Sequence, residues 1–130
     1  MGDDGAMAEP QSTQEILSIL ERIVGESVRQ LQVVGLNSLK SIAPSPQDLT
    51  GSTIARVSAI GRIVRIDLGG FHATFDLQRT GRLVWLDTGG PAQIGRPSLP
   101  TVRLLLGSGS AVDFAEPAKT KRISVTLGVS

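Results

Sequence analysis

Residues 54–77 read IARVSAIGRIVRIDLGGFHATFDL, and the choice of fold turns on them. Residues 54–60 read as a strand, with Ile54, Arg56 and Ser58 on one face and Ala55, Val57 and Ala59 on the other, the period of two that sends alternate side chains to opposite faces. Gly61 interrupts, and residues 62–68 (RIVRIDL) carry the β-branched content of a second strand. Gly69 and Gly70 tolerate the positive φ of a two-residue turn, so Phe71–Leu77 follows as the third strand of a meander.

The same texture continues on both sides. Residues 81–86, 102–106, 111–114 and 123–127 read as strands, separated by the loop 87–100 with Pro91, Pro97 and Pro100, by Gly107-Ser-Gly-Ser110 and by the polar stretch 116–121. Upstream, residues 27–34 read as one more strand, and Ala43-Pro-Ser-Pro46 with Gln47-Asp-Leu49 breaks it from the next through one helical turn. Ser12-Thr-Gln-Glu15 is a capping box, followed by Ile16, Leu17, Ile19, Leu20, Ile23 and Val24 at helical spacing and by Gly25 as the stop. The expectation is mainly β: one amphipathic helix at 12–24, then eight short strands forming a sandwich or barrel on which the helix packs.

Composition narrows the chemistry. The 130 residues are 40% hydrophobic and 19% charged, which suits one domain with a real core. Absence of cysteine excludes disulfide frameworks, zinc ribbons and thiol nucleophiles, and a single histidine, His72, cannot build a histidine metal site. No metal and no cofactor is expected. An aromatic content of 3% argues against a stacking platform for single strands. Residues 1–7 read as a leader or tag remnant and 8–130 as a single domain. Without Asp3 and Asp4 of that leader the chain is mildly basic, compatible with an anionic partner. No apolar run is long enough to span a membrane and no signal peptide is evident, so a cytoplasmic protein without a membrane partner is expected.

His72 has no serine elbow near it and reads as an exposed turn residue; Asp67 and Asp76 read as structural. The cations Arg62, Arg79, Arg82, Lys119, Lys121 and Arg122 all fall in or beside turns. A sandwich that gathers those turns at one edge would present them as a phosphate-contacting stripe; the plainer reading is ordinary surface solvation.

Five segments in order, Val24-Gly-Glu-Ser-Val28, Leu49–Val57, Gly61–Leu68, Leu77-Gln-Arg-Thr-Gly-Arg-Leu83 and Phe114-Ala-Glu-Pro117, resemble the N-terminal domain of the formamidopyrimidine-DNA glycosylase and endonuclease VIII (Fpg/Nei) family. The resemblance runs from about residue 8 to 127 and implies an eight-stranded antiparallel β-sandwich with one N-terminal helix. It also implies base excision by an N-terminal proline amine that forms a Schiff base beside a glutamate. Ala8 and Glu9 stand at those positions if the chain starts at Ala8: the acid is kept, and the secondary amine becomes a primary one. The family's hairpin lysine corresponds to Arg62 and its void-filling methionine to Arg79. Its Asp-Pro-Arg-Arg-Phe segment becomes Glu116-Pro-Ala-Lys-Thr120, without the wedge aromatic that fills the gap left by a flipped base.

The resemblance therefore implies a diverged glycosylase-like domain that binds DNA, or RNA, through phosphates and whose activity alone is lost or incomplete. Arg62, Arg79, Lys119, Lys121 and Arg122 would make the contacts. The family's helical and zinc-finger half would follow residue 130 and is not in this sequence; that half, or another protein, is the further partner implied. The other expectation is a non-catalytic structural or interaction module in a larger complex.

Overall fold

The computed structural model describes residues 11–35, 38–88, 100–116 and 122–130. Helix α1 spans Thr13–Leu20 and tightens into a 3₁₀ turn at Glu21–Ile23. Its start follows the capping box: the Glu15 N–H donates to Ser12 Oγ at 3.1 Å, and the Ser12 N–H donates to Glu15 Oε1 at 3.0 Å. Ile16, Leu20 and Ile23 are fully buried. Gly25, at φ +91°, turns the chain out of the helix, and its N–H donates to the Ile54 carbonyl at 2.8 Å.

Eight strands follow: β1 (Val28–Val33), β2 (Arg56–Ile60), β3 (Ile63–Asp67), β4 (Phe71–Asp76), β5 (Arg82–Leu86), β6 (Val102–Leu106), β7 (Ala111–Ala115) and β8 (Ser124–Val129). They form two antiparallel four-stranded sheets, ordered β1-β6-β7-β5 and β2-β3-β4-β8. Two layers, not a closed barrel, is the observed architecture, and residues 54–77 supply three of the four strands of the second sheet. Val64, Ile66, Ala73, Phe75, Val125 and Leu127 point inward from that sheet and Leu31, Leu83, Leu104, Val112 and Phe114 from the first. Phe75 stacks on Phe114 across the interior, ring centroids 4.1 Å apart and planes 12° from parallel. Helix α1 packs against β2 and β5, edge strands of different sheets, and so closes one side of the sandwich.

Some sequence expectations need correction. His72 is not an exposed turn residue: the Gly69-Gly70 turn closes at once, with the Leu68 N–H donating to the Phe71 carbonyl at 2.8 Å, so His72 already sits in the ladder opposite Gly128. It is half-buried, and its Nδ1 lies 3.3 Å from Ser130 Oγ. Strand β2 begins at Arg56 rather than Ile54, because the Ile54 N–H donates to the Glu26 carbonyl and its carbonyl accepts from Gly25, holding it to the chain that leaves the helix. Helical residues 21–23 adopt the tighter 3₁₀ form. The helical turn anticipated near Gln47 is the 3₁₀ segment Pro46–Leu49.

Candidate nucleic-acid interface

Turns from separate parts of the chain meet at the end of the sandwich beside the start of α1. The β2–β3 turn brings Gly61 and Arg62, the β4–β5 turn brings Gln78 to Gly81, and residues 11–13 precede or open the helix. Arg62 binds them together. Its Nε donates to the Gln78 carbonyl at 3.0 Å, Nη1 to the Gln11 carbonyl at 2.7 Å, and Nη2 to the Gly81 carbonyl. Three of the five guanidinium N–H groups are thus spent on backbone, in the rigid fork geometry that arginine alone provides. Burial lowers the Arg62 pKa from its ordinary value, the Arg82 charge adds to the effect, and Asp76 opposes it.

Gln11 is the second clamp. It is 7% exposed, its Nε2 donates to the Leu83 carbonyl at 3.0 Å, and its Oε1 accepts from the Leu83 N–H at 2.7 Å. One side chain therefore satisfies both backbone groups of Leu83, on the free edge of β5, as a neighbouring strand would. Thr13 Oγ1 donates to the Gly61 carbonyl at 3.1 Å and completes the tie between the helix start and the hairpin.

The β4–β5 turn is strained in one place. Gln78 has φ +57°, the left-handed region that favours glycine. Its N–H donates to Asp76 Oδ1 at 2.9 Å, which gives that carboxylate a structural role. Gly81 is required by space: a Cβ there would collide with the Leu77 carbonyl and crowd the Ile123 side chain. This close approach links the turn to the strand β8 entry. There Glu116, 5% exposed, accepts from the N–H of Arg122 at 2.7 Å and of Ile123 at 2.9 Å through Oε1.

Four of the cations selected from sequence fall within the described residues, and all four belong to this end. Arg62 is partly buried in its carbonyl cradle; Arg79 is exposed on the strained turn; Arg122 is exposed beside the Glu116 clamp. Arg82 is exposed and close enough to act on both Arg62 and Glu15. Ala8, Glu9, Lys119 and Lys121 lie outside the described residues. Gln78 and Glu116 escaped the sequence reading as functional positions. For Gln78 the one available signal was its place beside Arg79 in the turn Leu77-Gln-Arg-Thr-Gly81.

Elsewhere two arginines pair with aspartates. Arg65 Nε meets Asp67 Oδ1 at 3.0 Å on the outer face of the second sheet. Arg103 and Asp113, paired across β6 and β7, form a bidentate bridge of 2.7 and 2.9 Å, and hydrogen bonding to Asp113 raises the Arg103 pKa. Among the described residues no group of three or more His, Asp or Glu is placed to hold a metal, and no helix is long and apolar enough to cross a membrane.

No protein-family model matches this chain, and no curated protein matches it by sequence. Solved structures do match in three dimensions. The complex of Lactococcus lactis formamidopyrimidine-DNA glycosylase with DNA containing an abasic site gives a TM-score of 0.69 at 16% identity, covering 88% of this chain and 41% of that one. Its complex with DNA containing a FAPY-dG lesion gives 0.68 over the same shares, again at 16% identity. The same enzyme bound non-covalently to AP-site DNA gives 0.66 at 17% identity, covering 84% of this chain and 40% of that one. The chain thus spans about two-fifths of the length of the structures it matches. Eight antiparallel strands in two sheets, one helix closing the side and the order of the segments give it the fold of the N-terminal domain of formamidopyrimidine-DNA glycosylase.

Proposed function

We propose that this chain is a nucleic-acid-binding module built on the glycosylase N-terminal fold, which grips a DNA duplex by its phosphates and does not itself excise bases. The observation that carries the reading is the gathering of Arg62, Arg79, Arg82 and Arg122 at the end of the sandwich where the helix start, two turns and the entry to β8 meet. Lys119 and Lys121, in the sequence between Glu116 and Arg122, belong to the same proposed stripe. Phosphate contacts of this kind make affinity fall steeply with salt. The fold match to DNA complexes supports the reading by analogy.

A titration of duplex binding against salt tests it. Wild-type protein should show a linear fall of log affinity with log salt, and Arg79→Ala with Arg82→Ala should flatten the slope by about 2 while leaving the fold intact. Absent or salt-insensitive binding would sink the proposal. The catalytic part is tested with protein beginning at Ala8. Borohydride added to its mixture with an abasic-site duplex should trap no covalent adduct; a trapped imine that disappears in Glu9→Gln would show that the Ala8 amine and Glu9 carboxylate still work.

The three backbone bonds of Arg62 also favour a second reading, an interaction module in which this end of the sandwich is held rigid for a protein partner. Binding that ignores salt and nucleic acid alike would favour it.

A further inference from the structure

The outer face of the second sheet carries a cavity of about 610 Å³, lined by Arg56, Ser58, Arg65 and Asp67 with Gly69 and Ser130 at its rim. Register explains how these side chains meet. Val57 pairs with Ile66 and Ala59 with Val64, and all four pack in or against the core. Arg56 opposite Asp67 and Ser58 opposite Arg65 therefore share the outer face. The row continues with His72 opposite Asp67 on β4 and Gly128 opposite His72 on β8. A Cβ at position 128 would collide with the His72 ring, so the imidazole lies on β8 and the space over Arg56 and Asp67 stays open. Ser130 is held at the rim by its N–H, which donates to the Gly70 carbonyl at 3.0 Å.

The charges in this cavity are unevenly answered. Arg65 Nε donates to Asp67 Oδ1 at 3.0 Å, which fixes the guanidinium along one edge and engages the carboxylate. Neither Nη group of Arg65 has a partner among the described residues. Arg56 is exposed and, although it stands across from Asp67, makes no hydrogen bond or ion pair with any described residue. Arg56 and Arg65 are diagonal neighbours on paired strands, about 7–8 Å apart, so their long side chains can converge on one anion. Arg56 opens β2 and Ile60 ends it, about 13 Å away, so this cavity lies at the opposite end of the strand from the Arg62 clamp.

We propose that the cavity binds a small molecule through a phosphate monoester, with Arg56 and Arg65 as two forks on the phosphate and the Ser58 hydroxyl donating beside them. A phosphate dianion offers enough terminal oxygens to accept from two guanidinium groups at once, whereas a carboxylate has fewer oxygens and less charge. Asp67 holds Arg65 by Nε and leaves its Nη edge for the ligand. Sites for small ligands enclose roughly 300–1,000 Å³, and this cavity is large enough for the organic part of an ester as well as its phosphate. The site does not depend on the duplex reading, since none of its residues belongs to the Arg62 end.

The test titrates the full chain with adenosine 5′-monophosphate, inorganic phosphate and adenosine, followed by amide NMR shifts. Both phosphates should saturate and shift the amides of Arg56, Ser58, Arg65 and Gly69, and adenosine should bind roughly tenfold more weakly than its monophosphate. Arg56→Gln and Arg65→Gln should each weaken the monophosphate about tenfold, and Arg56→Lys should recover part of the loss because an ammonium lacks the planar fork. Unshifted core amides in the free variants check that the fold is kept. A short duplex with and without a 5′-phosphate distinguishes the source of the ester: a phosphate-dependent gain that vanishes in Arg56→Gln assigns a strand terminus, and equal binding of the two duplexes assigns a free metabolite. No saturable shift with either phosphate, or shifts that survive both glutamine substitutions, would overturn the site while leaving duplex binding at the Arg62 end in place. A flattened salt slope of duplex binding in Arg56→Gln, without any binding of the monophosphate, would assign Arg56 to the duplex and overturn it too.

Discussion

The Arg62 guanidinium donates to the backbone carbonyl of Gln11 across 2.7 Å, joining residues 51 positions apart. The same group holds Gln78 and Gly81, so one side chain fixes the relative positions of the helix start, the β2–β3 turn and the β4–β5 turn. Its removal leaves three carbonyls to find water. Arg62→Ala should lower stability by about 2–3 kcal/mol, the range for losing hydrogen bonds from a charged donor at a partly exposed site. Arg62→Lys should recover only part, because an ammonium lacks the planar fork. Urea unfolding of the three proteins measures this, and an Arg62→Ala variant as stable as wild type would show that the clamp is dispensable.

Gln78 carries the opposite expectation. At φ +57° a residue with a Cβ is disfavoured relative to glycine, and the Gln78 N–H bond to Asp76 and carbonyl bond from Arg62 are both backbone contacts that glycine keeps. Gln78→Gly should raise stability by up to about 1 kcal/mol, less the backbone freedom that glycine loses on folding. Thermal unfolding that shows a lower midpoint would contradict it.

Glu116 separates charge from hydrogen bonding. Its Oε1 accepts from two successive N–H groups at the entry to β8. Glu116→Ala leaves both donors without that acceptor and should cost about 2–3 kcal/mol, whereas Glu116→Gln keeps a carbonyl oxygen in place and should cost less than half as much. Equal losses in the two variants, by denaturant titration, would assign the effect to charge alone.

Glu15 supplies a pH dependence with a definite sign. Hydrogen bonds from the Ser12 N–H and hydroxyl hold its carboxyl below the usual carboxylate range, with Arg82 adding a smaller push in the same direction. A depressed folded-state pKa stabilises above the unfolded value of about 4.3 and is lost as pH falls through the lower folded value. The stability difference between wild type and Glu15→Gln should be present at neutral pH and shrink below pH ~4. A difference that grew on acidification would reverse the assignment.

The strands and turns were legible because each obeys a local rule. Alternation in residues 54–60 sent Val57 and Ala59 inward, Gly69-Gly70 closed a hairpin, and Ser12 with Glu15 capped the helix where the four-residue pattern says it must. The arginines at the turns were legible as candidates for the same reason, since turns are polar and exposed. Chemistry at the chain start, Ala8 and Glu9, was readable only through resemblance and falls outside the described residues.

What the sequence by itself determined is the layout of one helix and eight short strands, because period, capping and turn chemistry act over a few neighbours. Only the tertiary structure decided that Arg62 would be a clamp as well as a cation, that Gln11 would serve as a strand edge for Leu83, 72 positions away, and that Ile60 would be left in water beside them. Those contacts depend on how two sheets stack and which turns reach the same end, and no local pattern encodes a distance between residues separated by half the chain.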